Sequence, residues 1–433
     1  MSSEELHLLA IESGFCTRKS KLLPEVFFDL MFYASSQSHN SSLESLVSYL
    51  YSTYGIDIKR QSLDERFKEK TVNFVKTVLK RLICEQLPDM LISEDFLKEY
   101  NHVRIKDSTT FKVPANLSEH YPGNGGGLAG ITIQFEFDLK TGKFLDLTVT
   151  EASRNDQTDS NETIDNICKN DLILRDMGYF SIEVLKAIER KEAFYLFRLP
   201  ARTTVYDENG MEIDFKKLQI VMSEKKIDKL DKNVFIGKEK YPCRLIIWLV
   251  PPCVYQERVR RKRKEEKKRG CQTKEETIVR LHFNLFVTNA DDEKLPAEKI
   301  MPLYRFRWQV ELMFKNWKSL FSIHKLQKMK EERYITMLYT RLILIVIDLQ
   351  IINKVQSQIS KHGGGILSYQ KTLQTLKNNF LEILNILRND LEIAIKQLEK
   401  IYLTLSKNHW REKRKYRENF IENIDIFICI SEK

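Results

Sequence analysis

Apolar residues recur at helical spacing through roughly the first hundred positions, with few runs of alternating character, so this part is expected to be mainly helical and basic. Within it, SLESLVSYLYSTYGIDIKRQSLDERFKEK predicts an apolar helix on Leu43, Leu46 and Leu50 and a turn at Gly55. A polar second helix follows, carrying Lys59, Arg60, Gln61, Arg66 and Lys68. That is the outline of a helix-turn-helix, whose second helix enters a major groove; a packed hairpin with a solvated basic face fits the same pattern. From about residue 102 the period becomes two. HVRIKDST predicts a strand ending near Asp107. ITIQFEFDL alternates Ile131, Ile133, Phe135, Phe137 and Leu139 against Thr132, Gln134, Glu136 and Asp138, the pattern of a half-buried strand. A KTGK turn joins it to FLDLTVTEA, which gives an antiparallel meander. After a polar helical stretch, LILRDMG predicts a short buried strand ending near Asp176, then a helix (SIEVLKAIERK) and a strand (FYLFRLP).

Three strands, helix, strand, helix, strand is the order of the RNase H-like fold. Residues 201–290 depart from that alternation: short strand-like runs (RLIIWLV, HFNLFVT) and turn clusters predict an inserted β-rich subdomain. It contains the basic tract RVRRKRKEEKKRG, which reads either as a solvated segment or as a phosphate contact. Helical periodicity returns after about 296. There LILIVIDLQII, interrupted by Asp348, is too short to span a membrane and reads as a buried helix. Near the end of the sequence stands the basic WREKRKYRE.

Composition narrows the function classes. The chain has 433 residues, 70 Lys+Arg against 60 Asp+Glu, and a formal charge of +10, which favours a polyanionic partner. Its seven cysteines are scattered without a C-x-x-C pair, which argues against a disulfide framework and against structural zinc. The start MSSEELHLLAIESG carries acids and no apolar signal core. The glycine-rich PGNGGGLAG lacks the Gly-Lys-Ser/Thr ending of a P-loop, and no G-x-S-x-G occurs. His102 and His120 lie near the first strand in sequence, where surface or core roles suffice for them.

The segment YRFRWQVELMFKNWKSL, 304–320, is expected to form one helix. At about 100° per residue, Tyr304, Arg307, Trp308, Glu311 and Lys318 share a face opposite an apolar stripe of Phe306, Val310, Met313, Trp317 and Leu320. A polar face usually serves solubility, but two aromatics on it suggest that something stacks or packs there.

The spacing Y-x-x-R-x-x-x-E-x-x-x-x-x-x-K, at Tyr304, Arg307, Glu311 and Lys318, resembles the signature of insertion-sequence transposases of family four, bacterial cut-and-paste DDE enzymes. Asp176-Met177-Gly178-Tyr179-Phe180 is similar to that family's D-x-G-x-F element, and Asp107 sits where the first strand supplies the first carboxylate. The resemblance covers about residues 100 to 320. It implies an α/β RNase H-like catalytic core with Asp107, Asp176 and Glu311 as catalytic residues and magnesium ligands, manganese being the natural substitute. Two such ions promote in-line displacement at phosphorus, and magnesium needs only a few carboxylate oxygens. It further implies that Tyr304, Arg307 and Lys318 contact phosphates of the element end and that Trp308 stacks on a base, although Trp308 packing against the insertion remains open.

The resulting organisation has a helical DNA-binding region at 1–100, with Lys59, Arg60 and Arg66 as contacts. The core follows in two parts, 101–200 and 291–330, around the insertion at 201–290. A helical C-terminal region, 331–433, is expected to contribute to dimerisation. The expected partners are double-stranded DNA, as inverted-repeat ends and as target, and a second copy of the chain in the DNA complex. No membrane is expected; the setting implied is the cytoplasm of a prokaryote, at the nucleoid. The alternative is a non-catalytic DNA-binding regulator derived from such an enzyme, and a nuclease or resolvase on the same fold would cleave without strand transfer.

Overall fold

The computed structural model describes residues 1–17, 21–36, 42–86, 95–361, 365–389 and 391–410. Helices α1 (Ser3–Glu12), α2 (Pro24–Ser36), α3 (Leu43–Tyr54), α4 (Arg60–Asp64), α5 (Glu69–Cys84) and α6 (Asp95–Lys98) precede the strands β1 (Val103–Lys112), β2 (Gly130–Asp138) and β3 (Phe144–Glu151). Then come α7 (Asp156–Glu162), β4 (Leu172–Arg175), α8 (Ile182–Arg190), β5 (Phe194–Arg198), β6 (Val205–Tyr206), α9 (Phe215–Glu224), β7 (Lys229–Ile236) and β8 (Tyr241–Leu249). The chain continues through α10 (Pro252–Arg269), α11 (Glu275–Arg280), β9 (Phe283–Thr288), α12 (Ala297–Arg305), α13 (Arg307–Leu320), α14 (Glu331–Lys361), α15 (Tyr369–Asn389) and α16 (Leu391–Asn408). It divides into two compact units: Met1–Leu91, Ser108–Arg154 and Gln309–Lys433 form the first, Ile92–Asp107 and Asn155–Trp308 the second. Both β1 and α13 run through the division.

The second unit is a sheet in the order β1-β4-β5-β9-β8-β7-β6. Val103–Lys106 of β1 lies parallel to β4, and β4 parallel to β5. Parallel strands are covered on both faces, and all four residues of LILR are accordingly buried. Ser181 caps α8 through the Val184 amide, and Val184, Leu185 and Ile188 turn into the core beside Ile173, Tyr195 and Phe197. Antiparallel pairing then carries the sheet from β5 to β9 and on to β8 and β7. The segment expected as a β-rich insertion thus adds its strands to this sheet, and it also contributes α9, α10 and α11.

In the first unit the sheet order is β3-β2-β1. The expected meander is present, with β2 antiparallel to β3. The expected half-burial of β2 is corrected: all nine residues are buried. Its polar face is matched by partners, as where Thr132 pairs with Thr110 at 2.7 Å and Asp138 accepts the Thr141 hydroxyl at 2.6 Å, which removes the cost of covering it. Across the other face, Trp317 of α13 packs on Phe135 at 5.1 Å, with Val310 and Met313 also buried, as the apolar stripe predicts.

Two helical expectations are corrected. After α3 and its left-handed Gly55 cap, α4 has only five residues and carries just Arg60 and Gln61 of the expected basic set. Buried Leu63 and Phe67 draw the chain inward, and the next helix begins where Lys68 and Thr71 cap α5. Lys59 therefore stands at the N-cap position of α4 without a side-chain capping bond, and Arg66 lies in the turn before α5. The second correction concerns residues 304–320, which form two helices. Phe306 is buried and its amide bonds the Leu303 carbonyl three residues back, so the α-helical ladder is interrupted and Tyr304 belongs to α12.

α14 is long and apolar enough by composition to cross a membrane, yet 83% of its apolar window is buried inside the fold, where it packs on α2 and α5. α15 packs on α14 and α16, so part of the C-terminal apolar face is covered within the chain. The basic ending expected to follow Trp410 lies outside the described residues.

Candidate active site

The second unit builds its site beside the pairing of β1 with β4: the expected end of the first strand near Asp107 is corrected, since β1 continues to Lys112 and Asp107 lies mid-strand, just past the last β1–β4 pair, while Asp176 directly follows β4. Side chains alternate along a strand, and these two strands register Lys106 opposite Arg175. Lys106 and Arg175 therefore point to one face, and the next residues, Asp107 and Asp176, to the other. Beneath, Lys106 reaches Asp159 at 2.5 Å and Thr163 at 3.1 Å, while Arg175 donates to Ser160. Both anchoring residues Asp159 and Ser160 belong to α7. One turn deeper, Arg104 pairs with Asp171 at 3.1 Å. A line of buried cations thus ties α7 and the β4 entry to the backs of β1 and β4, next to the two aspartates.

On the opposite face, Arg307, the first residue of α13, donates from Nη1 to Asp107 at 2.8 Å and places Nε 3.6 Å from Asp176. One guanidinium thereby spans both carboxylates, which neither could approach so closely without a cation between them. Tyr304 turns its hydroxyl onto the Arg175 carbonyl at 3.2 Å and its ring onto Phe286 at 5.1 Å. Burial pushes the Tyr304 phenol well up, so it stays a neutral donor. Trp308 is exposed.

The D-x-G-x-F segment has a local reason. Met177–Tyr179 form a 3-10 turn after Asp176, with Tyr179 and Phe180 buried. A Cβ at Gly178 would stand 3.0 Å from Asp156 Oδ2, tighter than a side chain tolerates there without displacement. Gln157 closes the turn by donating to the Phe180 carbonyl at 3.0 Å.

In the first unit, α13 presents Glu311, exposed, one turn beyond Arg307 in the same helix. Glu311 lines an open cavity of about 490 Å³ with Ser108, Lys315, Lys318, His324 and Lys325. Lys318 donates to the Thr110 carbonyl at 3.4 Å and lies 6.0 Å from the Phe111 ring; burial pulls its ammonium below the usual lysine range. Lys315, His324 and Lys325 were not singled out by the sequence reading, although Lys315 lies at i+4 from Glu311, a spacing that puts two residues side by side on a helix.

The remaining expected residues lie elsewhere. Arg60 pairs with Glu44 on α3, Arg66 gives its carbonyl to Thr71, and Lys59 is a cap residue. His120 pairs with Glu331 at 3.0 Å. Among the described residues, no group of three or more His, Cys, Asp and Glu forms a metal-ligand cluster. What the second unit holds is a pair of carboxylates, and a pair of acceptor-only groups spanned by one cation fits a hard divalent ion.

Residues 101–347 match the family described as the transposase DDE domain. The chain belongs to the DDE transposases. It is similar over nearly its whole length to the transposase for insertion sequence element IS231B of Bacillus thuringiensis subsp. berliner, with 31% identity over 97% of this chain and 92% of that protein. The transposase for IS231C, from the same organism, is 30% identical over 97% of this chain and 91% of that protein. The transposase for IS1151 of Clostridium perfringens is 27% identical over 80% of this chain and 78% of its own length. This transposase is therefore a DNA-transposing, metal-dependent enzyme with an RNase H-like core, as the order of β1 to β5 and its two helices anticipates.

Proposed function

We propose that this transposase binds the inverted-repeat ends of an insertion sequence, cleaves there and joins the freed 3′ end to target DNA, using Asp107, Asp176 and Glu311 as ligands of magnesium, with manganese as a substitute. The observation that carries the reading is the spanning of Asp107 and Asp176 by the single Arg307 guanidinium. Two bound magnesium ions would activate the attacking oxygen and steady the leaving one. The chain's own residues do the rest. Arg307 and Lys318 hold non-bridging phosphate oxygens that the carboxylates alone would repel. Tyr304, fixed on the Arg175 carbonyl, keeps the turn between α12 and α13 in place. Trp308, exposed beside Arg307, offers a stacking face to a displaced base.

Within this reading the N-terminal helices, with Lys59, Arg60 and Arg66, touch end DNA, and two copies of the chain act together in the prokaryotic cytoplasm. The test is a parallel gel shift and magnesium-dependent cleavage assay on end-bearing duplex. Asp107→Asn and Glu311→Gln are expected to retain binding within about twofold and to lose cleavage, because each removes a metal ligand and little basic surface. Joint loss of both activities in folded variants contradicts the assignment. Binding without cleavage by the parent chain would instead favour the regulator.

A further inference from the structure

We propose that one flank of α10 is a contact surface for the sugar-phosphate backbone of duplex DNA, separate from the groups around Asp107 and Asp176; this rests on the reading that the enzyme acts on duplex DNA. α10 is eighteen residues long, about 27 Å at the rise of an α-helix, and none of its residues is buried. Among the described residues it is held along one side. Arg258 donates to the carbonyls of Leu281 and Phe283, both at 3.1 Å, and to Asn284 at 2.7 Å, and Tyr255 stacks on His282 at 3.6 Å. Glu266 turns its carboxylate to the Thr273 amide at 2.7 Å and so ties down the far end.

The other flank borders an open groove of about 580 Å³ whose charged lining is entirely cationic: Arg260, Arg263, Lys264 and Lys267. Of the helix's acids, Glu257 pairs with Arg261 and with Arg260 at the groove's edge, Glu265 pairs with Lys262 and Arg269, and Glu266 lies near Lys262 and Arg263. Among the described residues no salt bridge reaches Arg263, Lys264 or Lys267. Arg263 with Lys267 is a like-charge pair at i,i+4 that no salt bridge spans among the described residues, an arrangement that weakens a helix unless an anion lies across it. Phosphates spaced along a groove supply such an anion without reading sequence. The tract that reads from sequence as either solvated or phosphate-binding is thus divided: Arg258 holds the helix, and the Arg263, Lys264 and Lys267 edge faces outward.

The test uses the full chain and the triple variant Arg263→Gln, Lys264→Gln, Lys267→Gln. Fluorescence anisotropy measures affinity for an end-bearing duplex and an unrelated duplex across a salt series. Each phosphate contact contributes about 0.9 to the log–log salt slope, so the variant is expected to lose about two to three units on both duplexes alike. A control on the engaged side, Lys262→Gln with Arg269→Gln, is expected to leave the slope unchanged, and circular dichroism checks that α10 persists. A folded triple variant with the parent's slope overturns the α10 surface and leaves the proposed function standing. A loss confined to the end-bearing duplex overturns backbone contact in favour of base readout. A parent that binds neither duplex overturns both readings.

Discussion

Lys106 and Asp159 have side chains 0% and 2% exposed, so their attraction is scarcely screened and neither tolerates loss of the other. Lys106→Met is expected to cost about 3–5 kcal/mol, the penalty for leaving a buried carboxylate without its cation. Lys106→Met combined with Asp159→Leu should recover most of that loss. Urea denaturation of the single and double variants measures the difference; equal destabilisation in both would mean that Asp159 does not depend on Lys106. At this scale the aspartates were legible because IKDST and LILRDMG place a carboxylate at the end of an apolar strand run. The cations before them were not. A Lys or Arg beside an Asp in sequence reads as surface charge, and only the packing of α7 beneath β1 and β4 makes it a buried counter-ion.

Helix α14 carries a carboxylate with no hydrogen-bond partner for either oxygen among the described residues: Asp348, buried in the helix that the pattern LILIVIDLQII anticipates. Burial raises its pKa well above the ordinary carboxylate value, so the folded chain keeps a proton that the unfolded chain releases. The sign follows: stability is greatest below the unfolded pKa of about 3.9 and declines by up to about 1.4 kcal/mol per pH unit until the folded pKa is passed. Asp348→Asn removes that dependence, and urea midpoints between pH 4 and 8 are expected to fall less steeply than in the parent. Parallel pH profiles would remove Asp348 as the source. Elements with one dominant period were legible, as β2 and α14 show, whereas breaks inside a continuing period were not. The end of α4 at Asp64 and the interruption at Phe306 both arise where buried aromatics, Phe67 and Phe306 itself, redirect the chain, and periodicity carries no sign of that.

At the scale of the whole molecule the proposed function requires association. On the proposed function, excision is productive only if both element ends are held before cutting, and one active site per end then calls for two chains related by a two-fold axis. The C-terminal helices supply apolar surface, partly covered within the chain: Trp317 donates to the Tyr369 hydroxyl at 3.1 Å, Leu373 and Leu376 are buried, and Lys377 caps the Leu320 carbonyl. Deleting everything after about residue 360 would therefore expose α13 as well as remove the proposed interface, and a point change is the better probe. Leu403 on α16 is an apolar side chain that the described residues leave 53% exposed. If α16 faces its symmetry mate, Leu403→Glu brings two like charges close together, at a cost of several kcal/mol. Light scattering with end DNA is then expected to give a mass with two chains for the parent, and a dissociation constant for the paired complex raised by about tenfold or more in the variant, while binding of one chain to one end is unchanged. A variant that pairs ends as tightly as the parent moves the interface away from α16.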